Sequence, residues 1–176
     1  MLGRIVVGLL LAFVGGAAQA GWTHSKGQDN PFRGGAEHRA IAMQDGEAIA
    51  FTCTKREDVA LFFVVSEMPA EWSRFRLAKS VQLVLIIDDG AKDEFWARLE
   101  PTPSRDRYRV VSQGPDIASV AVVVSQAKRR LAVAVYIDGD LAWSQAFAVD
   151  GSKAALDPLI DGCKLATSSV VPSAPK

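Results

Sequence analysis

The chain has few of the residues from which catalytic and metal sites are commonly built. Its 176 residues include two histidines and two cysteines, and the G-x-S-x-G, H-E-x-x-H and phosphate-binding glycine-loop motifs are all absent. A site for nucleophilic or zinc chemistry would need such side chains at suitable spacing. We therefore expect a protein that is not an enzyme and that holds no metal and no cofactor.

Neither sign of charge is in excess. The sequence has 20 lysines and arginines against 20 aspartates and glutamates. A near-neutral, mixed surface gives no reason to expect nucleic acid or an anionic membrane as a partner. After residue 20 the chain also lacks a run of the roughly 20 apolar residues that a membrane-spanning helix needs. We expect the mature chain not to span a membrane.

The first twenty residues have the three zones of a cleavable secretory signal. Arg4 provides the positive charge, residues 5–14 form an apolar run, and Ala18-Gln19-Ala20 is a small-x-small cleavage site. The alternative is an uncleaved membrane anchor, for which the apolar run is short. Cleavage after Ala20 would leave about 156 residues, the size of one ordinary domain. We expect that domain to be periplasmic or secreted.

The two cysteines, Cys53 and Cys163, both lie in the mature part of the chain. In an oxidising compartment an even pair indicates a disulfide. The bridge would close a loop of about 110 residues. The chain-entropy model predicts that closing such a loop stabilises the folded state by about 4–5 kcal/mol. A redox CxxC motif is excluded by the spacing, and no histidine cluster accompanies the pair to make a zinc site.

Short apolar or alternating segments dominate the mature sequence and predict β-strands. Asp45-Gly46 and Asp138-Gly139 separate pairs of such segments, as hairpin turns do. The apolar run 59–66 suits a strand buried on both faces. We expect an α+β fold, mainly an antiparallel β-sandwich with a C-terminal helix packed on it. About eight strands are predicted, at 38–43, 47–53, 59–66, 81–87, 94–99, 108–112, 131–137 and 141–149.

Two segments have helical periodicity. Within residues 116–127 the apolar residues recur at helical spacing, which favours a helix. Three consecutive valines favour a strand, so both interpretations stay open. Residues 152–163 are the second segment with helical periodicity, and their apolar residues lie on one face of the predicted helix. Ser152 is the expected N-cap, and Pro158 should kink this helix or restart it with Asp157 as a new cap.

Composition divides the chain into four parts. Residues 1–20 are the signal peptide, and residues 21–37 are polar and glycine-rich, which predicts an extended N-terminal segment. Residues 38–165 form the β-rich globular domain. Residues 166–176 have little to bury and predict a disordered tail.

Arginine supplies one candidate binding surface. Arg105, Arg107 and Arg109 alternate along the chain and would lie on one face of a strand, with Trp72 as a further candidate. Such a surface would suit an acidic partner or a small anionic ligand. The alternative is a solvated face on which the arginines pair with aspartate and glutamate.

Tryptophan supplies a second candidate. Two of Trp72, Trp96 and Trp143 could form a platform for stacking carbohydrate if both were exposed on one face. The alternative assigns these side chains to the core or its rim. His24 is expected to be solvated and His38 to be a surface residue at the start of a strand.

Acidic clusters give no cation site in our interpretation. A calcium loop around Asp138, Asp140 and Asp150 would be interrupted by strand-like residues, and it lacks the terminal bidentate glutamate. A hairpin turn is the better account. Residues 88–89 and 93–94 form another cluster, which we interpret as a solvated loop rather than a carboxylate pair for acid–base catalysis.

Several sparse motifs occur in an order that covers most of the mature chain. They are Trp22, Asp29-Asn30-Pro31, a strand ending in Cys53, Asp88 followed by Trp96, and Phe147-x-x-x-Gly151-x-x-x-Ala155-Leu156 running to Cys163. In these features the chain resembles the type VI secretion-associated periplasmic proteins. The resemblance implies a disulfide-linked β-rich fold with an accessory role at the cell envelope. The arginine–aspartate pair of that family is missing from residues 81–88.

These observations favour an exported envelope accessory or interaction protein without catalytic activity. Its expected partner is an envelope or secretion-system protein. The alternative is a periplasmic ligand-binding module for a glycan or a small anionic ligand. A hydrolase with an unrecognised site is the third hypothesis, and it would need a pocket in which an acid and a base converge.

Overall fold

The structure is a computed structural model, and it describes residues 21–30, 35–54, 59–65, 78, 80–90, 92–101 and 108–165. The predicted signal peptide and the predicted tail lie outside these residues. The elements are β1 (Trp22–Asn30), β2 (Gly35–Gln44), β3 (Glu47–Cys53), β4 (Ala60–Val65), β5 (Val81–Ile87), β6 (Lys92–Trp96), β7 (Arg98–Pro101), β8 (Tyr108–Gln113), α1 (Pro115–Ser125), β9 (Arg130–Ile137), β10 (Asp140–Ala148) and α2 (Ser152–Gly162).

The strands form two antiparallel sheets, as the sequence predicts. One sheet has six strands in the order β1-β2-β3-β4-β8-β7, and the other has four in the order β10-β9-β5-β6. Both Asp-Gly hairpins are confirmed. Asp45 and Gly46 have φ values of 52° and 84°, and Asp138 and Gly139 have 51° and 94°. Positive φ at both central residues matches the strand twist, which explains why these turns close the hairpins.

The predicted strand 94–99 is two strands, which belong to different sheets. β6 pairs with β5 in the four-stranded sheet, and β7 pairs with β8 in the six-stranded sheet. The break is at Ala97, whose N–H donates to the carbonyl of Val81 at 2.9 Å. The alternation of side chains in the sequence continues through this break, so the pattern alone could not reveal that the chain crosses between sheets.

Strand β4 lies in the apolar run 59–66, which predicted a strand buried on both faces. Only one face of β4 is fully buried. In β4, Leu61 and Phe63 are fully buried, whereas Phe62 and Val64 on the opposite face are half-buried. The Arg109 guanidinium lies over the Phe62 ring, 4.7 Å from its centroid. A long arginine side chain therefore supplies part of the cover that a second packed layer would have given.

The ambiguous segment 116–127 is helical. Pro115 begins α1, where its fixed φ suits the first turn. The helical positions Ile117, Val120, Ala121 and Val124 are all buried. Burial of that face stabilises the helix despite the β-branched run, because tertiary packing overrides weak intrinsic propensity.

The C-terminal helix forms as predicted, but its N-cap is not Ser152. Gly151 is the cap, with φ 79°, and no side chain caps the helix. The Ser152 hydroxyl instead donates to the carbonyl of Val124 at 3.1 Å, joining α2 to α1. Pro158 lies inside one continuous helix, so the predicted restart at Asp157 does not occur.

The Cys53–Cys163 disulfide is confirmed. Cys53 is the last residue of β3 and Cys163 directly follows α2, with 6.3 Å between their Cα atoms. Both residues are buried. The bridge therefore fixes the end of the C-terminal helix to the six-stranded sheet.

One hydrophobic core joins both sheets and both helices. Phe63 and Phe147 meet edge to face in it, with ring centroids 6.2 Å apart. Trp22 is also buried, and its Nε1–H donates to the carbonyl of Ala148 at 2.9 Å. Residues 22–30 of the predicted extended segment thus form strand β1 of the larger sheet, and the boundary expected after residue 37 falls inside β2.

Within the described residues, neither helix is long and apolar enough to cross a membrane.

Candidate binding face

The predicted arginine surface is only partly described. Arg105, Arg107 and Trp72 lie outside the described residues. Arg109 is on β8, and its guanidinium donates to the Glu100 carboxylate from Nε at 3.1 Å and from Nη2 at 2.8 Å. Hydrogen bonds from Arg98 and then from Arg109 lower the pKa of Glu100. Arg109 is therefore paired, as the solvated-face alternative expects, and its charge is not available to hold an anion.

A groove beside Arg109, about 510 Å³ in volume, runs along the exposed face of the six-stranded sheet. Its other charged residues are Glu37 and Arg39, which pair with each other at 2.9 Å. Each arginine of the groove thus has a carboxylate partner in the fold. Among its described residues, the groove offers an anionic ligand no unpaired cation.

One aspartate of each acidic cluster accepts backbone hydrogen bonds that hold a turn. The Asp88 carboxylate accepts the backbone N–H groups of Lys128, Arg129 and Arg130, and the first of these contributes most to lowering the pKa of Asp88. Asp138 accepts the backbone N–H of Ser80 at 2.9 Å. In the described part of the chain, no three histidine, cysteine, aspartate or glutamate residues are grouped to hold a metal ion.

Ser125 and Lys128 have the S-x-x-K spacing of some serine acyl-transfer enzymes. Ser125 ends α1 and is buried, and its hydroxyl donates to the carbonyl of Val122 at 2.8 Å. Lys128 is exposed beyond the helix. The hydroxyl is occupied by helix backbone, and the motif is structural.

His38 is buried, in contrast to its expected place on the surface. Only 9% of it is exposed, and its Nδ1 lies 3.3 Å from the Nε2 of His24. Burial lowers the pKa of His38, and the nearby His24 and Lys26 lower it further. The sequence could not show this, because α2 reaches across from 124 residues away in the chain and covers the imidazole at Gly162.

The motifs that carry the family resemblance are mainly structural. Trp22, Phe147 and Leu156 are buried, Gly151 has the positive φ of the α2 cap, and Asp88 holds a turn. Trp96 differs from them, since 72% of its surface is exposed. It is not part of the core or its rim, whereas Trp143 is half-buried against the core.

Trp96 belongs to the exposed side of the four-stranded sheet, which we call the outer face. Residues paired across antiparallel strands point to the same side of a sheet, so the register defines this face. Three of its cross-strand rows are Trp96-Gln82-Tyr136-Leu141, Glu94-Val84-Ala134-Ser144 and Lys92-Ile86-Ala132-Ala146.

Small side chains make the outer face concave. Alanines on β9 and β10 leave a groove of about 360 Å³ with a floor that includes Val84 and Ile86. Tyr136 and Leu141 line its end. Leu141 is 57% exposed. The outer face therefore combines an apolar groove with large exposed apolar side chains, a surface typical of binding sites.

The charges of the outer face cancel. Lys92 donates to Glu94 at 2.6 Å, and this hydrogen bond raises the pKa of Lys92. The Lys92 ammonium also lies 5.6 Å from the centroid of the Tyr136 ring. Lys92 and Glu94 are the charged members of these three rows, so the rows carry no net charge at neutral pH.

Comparisons with protein-family models, curated proteins and solved structures return no match to this chain.

Proposed function

We propose that this protein is an exported, non-catalytic binding protein of the cell envelope, and that the outer face is its binding surface. The observation that carries the proposal is the pair of large apolar side chains, Trp96 and Leu141, exposed at the two ends of a cross-strand row that borders one apolar groove. Exposed apolar surface of this kind costs free energy in water unless a partner covers it.

Export is supported by two independent features. Residues 1–20 have the zones of a secretory signal. The Cys53–Cys163 disulfide belongs to the type of bond that persists in oxidising compartments such as the periplasm. An accessory role beside a secretion system is part of the proposal and rests on the resemblance described above.

Photo-crosslinking in cells tests the proposal. A photoreactive side chain would replace Leu141 on the outer face or, as a matched control, Met43 on the six-stranded sheet. These residues are 57% and 55% exposed. We expect an envelope component, either glycan or protein, to be captured from position 141 and not from position 43. Equal capture from both positions, or none from 141, would contradict the proposal.

A further inference from the structure

The first row of the outer face alternates aromatic and amide side chains. Trp96 on β6 and Tyr136 on β9 both pair with Gln82 of β5, which lies between them. Neighbouring strands are about 4.8 Å apart, so the two aromatic positions are separated by about 10 Å. Within the described residues, the Gln82 amide has no side-chain hydrogen-bond partner.

We propose that this row binds a linear oligosaccharide of β-linked N-acetylated hexosamines. The inference rests on the proposed function, because it names the ligand of the same face. The apolar faces of pyranose rings stack on aromatic side chains, and sugar hydroxyl groups need hydrogen-bonding partners between the stacking positions. Trp96 and Tyr136 supply the first requirement, and Gln82 supplies the second.

The groove beside the row accounts for the N-acetyl group. It adjoins Tyr136 and is bordered by the methyl groups of Ala132, Ala134 and Ala146, with the Ser144 hydroxyl on β10. A substituent with a methyl end and an amide would place apolar atoms on the alanines and a polar group near Ser144. A sugar that carries only hydroxyl groups would desolvate a polar group there without this apolar contact.

The electrostatics of the face favour a neutral ligand. In the three described rows Lys92 and Glu94 are paired with each other, so these rows offer an anion no uncompensated cation. Since the Lys92 ammonium lies near the Tyr136 ring, a bound sugar must either share the ring with it or displace it. In both cases the ammonium and the carboxylate are a hydrogen-bond donor and an acceptor beside the stacked sugar.

Two oligosaccharides distinguish the ligand class. Titration of the mature protein with the hexamer of β-1,4-linked N-acetylglucosamine should change its tryptophan fluorescence and give saturable binding by calorimetry. The glucose hexamer has the same linkage without the acetamido group. We expect it to bind about tenfold more weakly or worse, which corresponds to about 1.4 kcal/mol. Absence of saturable binding by the N-acetylated hexamer, or equal binding of both, would overturn the inference.

Three variants locate the site. Trp96→Ala should weaken binding about tenfold or more, because an exposed tryptophan that stacks on a ligand carries a large part of the binding energy. Ala134→Leu should do the same by filling the groove while keeping every other side chain. Met43→Ala, on the other sheet, is the control and should bind as the wild type does. Unchanged binding by both Trp96→Ala and Ala134→Leu, with cooperative thermal unfolding retained, would overturn the inference.

The two proposals fail separately. Capture from position 141 in cells combined with no binding of either hexamer would leave the outer face as the binding surface and reject the glycan. Binding of the N-acetylated hexamer that neither Trp96→Ala nor Ala134→Leu weakens would instead place the glycan elsewhere on the protein.

Discussion

Loss of the Cys53–Cys163 bridge should cost about 5 kcal/mol in the free energy of unfolding. The bridge joins residues separated by 110 positions. In the chain-entropy model, a loop of that length removes about 16 cal/mol/K from the entropy of the unfolded chain, which is about 4.8 kcal/mol at 25 °C. A chain of this size loses about 2–4 °C in Tm for each kcal/mol. We therefore expect Tm to fall by about 10–20 °C.

The choice of variant matters, because both cysteines are buried. A single Cys163→Ser change leaves one thiol without its bond and buries a new hydroxyl, so its cost exceeds that of the bridge alone. The double variant Cys53→Ala/Cys163→Ala removes the bridge with small apolar replacements. The comparison should use the double variant, with the wild type under reducing conditions as a second version of the same perturbation.

The measurement is denaturant unfolding of the mature protein, followed by far-ultraviolet circular dichroism. The double variant and the reduced wild type should agree and should both unfold at much lower denaturant concentration than the oxidised wild type. A difference of less than about 1 kcal/mol between the oxidised wild type and the double variant would refute the reasoning, because loop closure would then contribute little here.

Three further predictions concern buried polar groups and close packing. Among the described residues, one carboxylate oxygen of Glu47 is buried without a hydrogen-bond partner, and burial followed by the charge of Asp45 raises the pKa of Glu47. The charged form is thus penalised above the unfolded pKa. Because Glu47 as a whole is only half-buried, solvent screens its charge, and Glu47→Gln should raise the unfolding free energy by less than about 1 kcal/mol at pH 7 and not near pH 3; equal effects at both pH values would contradict this. The lowered pKa of His38 means that the folded protein favours the neutral imidazole. The contribution of His38 to the free energy of unfolding should therefore be fully present above about pH 6.5 and should fall as the pH decreases below that value. Thermal melts from pH 7.5 to 5 should have a smaller slope for His38→Gln, and an unchanged slope would be evidence against this origin. A Cβ on Gly162 would lie 2.3 Å from the His38 ring, so Gly162→Ala should destabilise the protein by about 1–3 kcal/mol. Adding His38→Ala should restore part of this loss of stability, as measured by denaturant melts. If the effects of the two substitutions are fully additive, the two sites do not interact.

Local chemistry explains which parts of the fold could be predicted. Asp-Gly pairs adopt positive φ with little cost, and both predicted hairpins close at such pairs. The disulfide followed from an even cysteine count, and α2 followed from apolar residues at helical spacing. Each of these signals lies within a few adjacent residues or depends on a single pair.

The candidate site depended on information that no local pattern holds. Gln82, Trp96 and Tyr136 become neighbours only because β6 and β9 pair on opposite sides of β5. Of the tryptophans considered for a platform, Trp96 is exposed and Trp143 is half-buried, and the aromatic residue that shares the row of Trp96 is Tyr136. Arg109 was predicted as a binding residue, and its pairing with Glu100 arises from the β7–β8 register.

A backbone amide NMR titration tests the central claim most directly, because it reports every amide of the protein at once. The mature protein, labelled with ¹⁵N, would be titrated with the N-acetylglucosamine hexamer. The account predicts that the shifted amides cluster at Gln82, Trp96 and Tyr136 and along the strands that carry them, with the six-stranded sheet unaffected. Shifts that cluster around Arg109 on the six-stranded sheet, or no shifts on the outer face, would contradict it.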